Sequence, residues 1–134
     1  MTGKIQTETV RKIFAHLTHG YDAFFAHVAE EVDWTVNGTH PLAGHFRSKR
    51  EFVAATFARI AKLLQGGTQL RVVHIMTSGD WATVEMQSTA TALNGMRFDN
   101  RYCWVVRFED ALIVEVRAYL DSALIQKLFD ENGG

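Results

Sequence analysis

The period of the hydrophobic pattern changes at Gly66-Gly67, and that change constrains the fold more than any other feature of the chain. Before it, apolar residues recur at helical spacing. Val10, Ile13, Phe14 and Leu17 sit at i, i+3, i+4 and i+7, the signature of one buried helical face. Gly20 interrupts that run, and Tyr21, Phe24, Phe25 and Val28 begin a second amphipathic series. A third helix is expected from Ser48 to Leu64, with Ser48 and Glu51 as a capping box and Val53, Phe57, Ile60 and Leu64 as the buried stripe. A short strand, Val32 to Val36, lies between the helices. After the two glycines the period falls to two. Leu70, Val72, His74 and Met76 alternate with Arg71, Val73, Ile75 and Thr77. A Gly79-Asp80 turn leads into a strand from Trp81 to Leu93, and Asn94-Gly95 is a strong hairpin signal. Phe98 to Glu109 is its partner and Leu112 to Leu120 the last strand. Asp121 is placed to cap a closing helix that carries Leu124, Ile125, Leu128 and Phe129.

That order implies an α+β fold: a cone-shaped, curved, mainly antiparallel sheet wrapped around helices and enclosing a pocket. With 134 residues and no linker or repeat, a single domain over 1–134 is expected. The formal net charge is −1 with both signs interspersed, which offers no electrostatic footprint for nucleic acid or an anionic membrane. No run reaches the ~18 consecutive apolar residues of a membrane helix. The opening MTGKIQTETV lacks the apolar core of a signal peptide, and Cys103 is the sole cysteine, so a cytoplasmic protein is expected. The six histidines form no HExxH and no paired Cys/His spacing, so no metal site is expected.

Four strings carry a resemblance: Asp33-Trp34-Thr35-Val36-Asn37-Gly38, His40-Pro41-Leu42-Ala43-Gly44, Asn100-Arg101-Tyr102-Cys103-Trp104 and Val116-Arg117-Ala118-Tyr119-Leu120-Asp121. In order and spacing the chain resembles the ketosteroid isomerase-like branch of the nuclear transport factor 2-like superfamily, which includes the SnoaL-like polyketide cyclases. The resemblance implies the same cone-shaped sheet. It also implies an isomerase, cyclase or dehydratase that works without a cofactor, by proton transfer on a small apolar carbonyl compound. The superfold equally hosts non-catalytic ligand-binding or protein-association modules. The two steroid isomerase carboxylates have no counterpart, because the matching positions read Val36-Asn37-Gly38 and Trp104.

The resemblance places Asn100, Tyr102 and Trp104 toward the pocket, and Glu85 and Gln87 on the neighbouring strand. Glu85 is then the candidate base, since a carboxyl on an apolar wall has its pKa raised by desolvation. Pairing with an arginine or exposure to solvent is the plain alternative. Gln87, Asn100 and Tyr102 would polarise a substrate carbonyl. Asp121 is either an acid at the cavity mouth or a helix cap. His40 is a candidate acid/base overhanging the pocket from its loop. Trp34, Tyr102 and Trp104 would form an aromatic wall or ordinary core. Val73, Ile75, Val84, Met86, Cys103 and Val105 are expected on the convex face, where they would pair two copies of the chain as a homodimer.

Overall fold

A computed structural model describes residues 4–133. Along the chain these form α1 (Thr7–Ala15), α2 (Asp22–Phe25), β1 (Val28–Val36), β2 (Gly44–Phe46), α3 (Lys49–Ala55), α4 (Phe57–Ala61) and β3 (Leu64–Gln65). There follow β4 (Leu70–Ser78), β5 (Trp81–Ser88), β6 (Thr91–Ala92), β7 (Arg101–Glu109), β8 (Leu112–Leu120) and α5 (Ser122–Asn132). Six strands make one curved sheet in the order β2-β1-β8-β7-β5-β4, while β3 and β6 form a separate ladder. Every pairing is antiparallel except that of β1 with β8.

The expected architecture holds, with local departures. The second helical series ends at Phe25, and Val28 already belongs to β1. The long third helix is broken at Thr56, whose backbone (φ −124°, ψ −80°) leaves the helical region. The Thr56 hydroxyl donates to the Phe52 carbonyl at 2.7 Å, a local bond that competes with the helical ladder. In β4 the register slips between Val72 and His74, so Val72 and Ile75 share the inner face and Val73 is left outward, 57% exposed. The strand from Trp81 stops at Ser88. Thr91–Ala92 then pairs with Leu64–Gln65, and the Asn94-Gly95 turn closes on it, with the Ala92 N–H donating to the Met96 carbonyl at 2.8 Å.

Helix ends follow the sequence signals. Ser48 Oγ accepts from the Glu51 N–H at 3.1 Å, and an Asp121 carboxylate oxygen accepts from the Leu124 N–H at 3.2 Å. The inner face of the sheet and the helices enclose a core centred on Phe14, Phe24, Trp34, Phe52, Val84 and Trp104. A second cluster, including Leu42, Ile60, Phe98, Ile125 and Leu128, fills the space under α5. The cavity described next lies where the two meet.

Candidate functional site

Directly paired residues in an antiparallel ladder share a face, and this rule fixes what the cavity sees. Trp104 pairs with Val84 and Ala118, and Tyr102 pairs with Met86 and Leu120, so all of these point inward. Trp34 joins them from β1 and is fully buried. The helical wall is Phe52, Thr56, Phe57 and Ile60, while Leu42 and Thr68 come from loops. The break at Thr56 turns α4 so that Ile60 reaches the cavity. Phe52 lies flat against Trp34 and anchors α3 to the sheet.

The cavity holds about 40 Å³. On that measure one water needs ~10–15 Å³, so a few water-sized groups fit and a larger organic ligand does not unless a wall yields. The sheet wall is held by its ladder, and α3 is held by Lys49, whose ammonium donates to the Phe25 and Val28 carbonyls at 2.9 and 3.0 Å. Leu42 comes from the loop after β1 and Ile60 from the short helix α4.

The chemistry of the walls is one-sided. Among the described lining residues there is no Asp, Glu, His, Lys or Arg. Burial pushes the Tyr102 phenol up to about 12, against the opposing pull of the neighbouring Asn100 and Ser88 side chains. At neutral pH it is therefore a hydrogen-bond donor, not a base. Three further polar side-chain atoms belong to lining residues: Thr56 Oγ1, which donates to the Phe52 carbonyl, and Trp34 Nε1 and Thr68 Oγ1, which are buried without a hydrogen-bond partner. Buried donors are ordinarily satisfied, so two without partners in residues that line one cavity are informative. The arrangement can hold oxygen acceptors and can stabilise charge developing on a carbonyl oxygen.

Of the residues singled out from sequence, the structure brings Trp34, Tyr102 and Trp104 together at the cavity. Asn100 lies next to them, with no solvent exposure. Its N–H donates to Ser88 Oγ at 2.7 Å, its side-chain carbonyl accepts from the Arg101 N–H, and its Nδ2 has no partner. Glu85 and Gln87 are corrected. Glu85 pairs with Cys103 and Gln87 with Arg101, which puts both on the outer face. There the Glu85 carboxylate is 52% exposed and lies 3.6 Å from His74 Nδ1. Asp121 is exposed and serves as the cap of α5.

His40 is buried rather than overhanging. Its Nδ1 accepts from the Leu42 N–H and its Nε2 donates to the Asn37 carbonyl, both at 3.1 Å, so each ring nitrogen is committed to the loop's own backbone. The ring occupies the space beside Gly38 (φ +125°), where an added Cβ would meet it at 2.7 Å. A loop folded onto its own histidine offers that ring no substrate.

Thr68, Thr56, Phe52 and Leu42 are cavity residues that sequence reading did not select. Thr68 belongs to no periodic element, and Phe52 is hidden by the assumption of one unbroken helix. The outer face is also less apolar than expected. Ile75, Val84 and Met86 are buried inside, and the exterior carries Arg107 bonded to Glu115 and Glu109, with Arg117 on Glu115. The Arg107 and Arg117 guanidiniums lie over the Trp81 ring at 6.0 and 5.4 Å.

Comparison with known proteins agrees with the geometry. The SnoaL-like domain family matches residues 10–116. The dimerizing cyclase phiC of a fungal species is 26% identical over 127 residues, covering 92% of this chain and 56% of that protein. The chain thus spans about half the length of the curated relatives it matches. Among solved structures, an NTF2-like protein from Burkholderia thailandensis superposes with a TM-score of 0.76 at 24% identity, covering 91% of this chain and 95% of the other. A Catenulispora acidiphila protein with a ketosteroid isomerase-like fold, solved in complex with trimethylamine, superposes with a TM-score of 0.71 at 14% identity, covering 96% and 95%. These two likenesses concern the fold. Among the described residues no helix is long and apolar enough to cross a membrane.

Proposed function

The chain belongs to the SnoaL-like domain family, and on that premise we propose that its cavity takes a small apolar carbonyl compound and assists a cyclase- or isomerase-type rearrangement without a cofactor. One observation carries this reading. The cavity walls are apolar, and their polar groups are neutral donors led by the Tyr102 hydroxyl. Such a site stabilises negative charge on a carbonyl oxygen by hydrogen bonding, the term that usually dominates in catalysis of this kind. With Glu85 outside and His40 committed to its loop, Tyr102 takes the central role by polarising the substrate carbonyl.

The test compares cyclohexanone with cyclohexane, which differ in the acceptor oxygen, by NMR titration. Tyr102→Phe should cut cyclohexanone affinity by roughly three- to tenfold, one hydrogen bond's worth, and leave cyclohexane unchanged. Equal affinity of the variant and the wild type for cyclohexanone removes Tyr102 from the site.

Association of two copies through the outer sheet face remains part of the proposal. Its support is the exposure of Met76 and Tyr119, at 52% and 47%, on the face that carries the Trp81 ring and its guanidiniums. Light scattering should give twice the chain's 15.1 kDa, and a mass of one chain at micromolar concentration refutes it.

A further inference from the structure

We infer that the meeting point of the Asn94-Gly95 turn and the end of α5 is a deamidation site, at which loss of the Asn94 side-chain amide releases the helix. Glycine after asparagine favours this reaction, because it has no Cβ to keep its amide nitrogen away from the preceding carboxamide. Three of the four asparagines precede a glycine: Asn37, Asn94 and Asn132. The fold brings two of these together, since the Asn94 N–H donates to Asn132 Oδ1 at 2.9 Å.

The reaction needs only water. The Gly95 nitrogen gives up its proton and attacks Asn94 Cγ, and the side-chain nitrogen leaves as ammonia. Water then opens the cyclic imide at one of its two carbonyls, leaving aspartate or isoaspartate. In the folded chain the reacting groups are tied down. The Gly95 N–H donates to the Ala92 carbonyl at 2.9 Å, and Asn94 Oδ1 accepts from the Met96 N–H at 3.0 Å. Asn94 Nδ2 donates to Glu131 Oε1 at 3.2 Å. The first two bonds belong to the turn itself. The bonds to Glu131 and Asn132 exist only while α5 is docked, and both are exposed. Fraying of the helix end therefore frees the carboxamide to react.

Conversion runs one way. A carboxylate at position 94 replaces the donor that Glu131 accepts from, so a hydrogen bond becomes a repulsion between like charges. Lys127, 3.9 Å from Glu131, already serves that carboxylate. Isoaspartate also adds a methylene to the backbone of a turn closed by the Ala92–Met96 bond. Leu128 and Phe129 of α5 pack in one cluster with Leu42 and Ile60, which line the cavity. Deamidation at Asn94 thus loosens the packing behind two cavity walls, whatever ligand the cavity takes. Asn37 is the internal control. Its N–H and Nδ2 both donate to the Ala118 carbonyl, and the His40 ring packs on Gly38.

Peptide mapping by mass spectrometry follows these asparagines during incubation in mildly alkaline buffer. In the folded wild type Asn94 should convert ahead of Asn37, and in urea the two rates should converge. Glu131→Ala, at an exposed residue, should speed conversion of Asn94 roughly three- to tenfold, one hydrogen bond's worth, and leave Asn37 unchanged. Asn94→Asp should raise hydrogen exchange at the Leu128 and Phe129 amides by a similar factor. Adding Glu131→Gln to it should restore protection, which a turn merely distorted by substitution would not do. Equal conversion of Asn94 and Asn37 in the folded protein, or no acceleration in Glu131→Ala, overturns the site. Unchanged exchange in Asn94→Asp, or no rescue by Glu131→Gln, overturns the release of α5.

Discussion

Trp34 and Phe52 lie face to face, with ring centroids 3.8 Å apart and planes 18° from parallel. Trp34 belongs to the sheet and Phe52 to α3, so the pair both docks the helix and forms one wall of the cavity. Aromatic pairs of this kind add ~0.5–1.5 kcal/mol beyond the area they bury. Phe52→Ala should lower unfolding free energy by ~3–5 kcal/mol, measured by urea denaturation. A loss under ~1 kcal/mol would mean that α3 does not depend on this stack.

Tyr102 should show in the alkaline limb of stability. Its folded pKa is raised from 10.0 to about 12. Below about pH 10 the phenol is protonated in both states, and its titration contributes no pH dependence. Between those two values the unfolded chain loses the proton first, so folded stability falls as pH rises. Tyr102→Phe should flatten that part of the profile, read from urea midpoints at about pH 9 and 11. An unchanged slope would show that the phenol titrates alike in both states.

Two carboxylates should separate cleanly in a mutational comparison. Asp121→Ala removes the cap of α5 and should cost ~0.5–2 kcal/mol. Glu85→Gln changes an exposed outer-face group and should stay within ~0.5 kcal/mol, with cyclohexanone affinity untouched. A Glu85→Gln protein with altered affinity would return that carboxylate to the site.

The turn between β7 and β8 stores strain. Asp110 and Ala111 have φ of 51° and 64°, the consecutive left-handed pair of a tight hairpin. Ala pays for that conformation and Gly does not, though Gly loses more entropy on folding. Ala111→Gly should therefore raise stability by up to ~1 kcal/mol. A lower melting temperature would place the strain elsewhere.

Most of the architecture was legible because it rests on patterns with a single physical meaning. Ser48 before Glu51, Asp121 before Leu124 and the alternation from Leu112 to Leu120 all behave as local chemistry requires. The candidate site was legible on β7 and inverted on β5. Ala82, Val84, Met86 and Ser88 alternate with Thr83, Glu85 and Gln87, and burial selected the first set. That apolar alternation was the better guide, because the stop at Ser88 breaks any register counted back from Asn94-Gly95. The slip at Val73 and the break at Thr56 had no comparable signal. The slip depends on how β4 registers against β5, and the break on a hydroxyl bond to the Phe52 carbonyl that the helical stripe does not announce. Thr68 was invisible because it lies outside every periodic element.

The parallel pairing of β1 with β8 sets the order in which the molecule can be completed. Val28 meets Ile113, and Trp34 meets Val116, across more than half of the chain. Closing so long a loop is entropically expensive, and contacts of high sequence separation form slowly. The β4–β5, β5–β7 and β7–β8 pairings need only short connections and can assemble first. Trp34 and Phe52 then arrive last, so until β1 docks, Tyr102 and Trp104 face water across an open trough. On that order the cavity closes last in refolding.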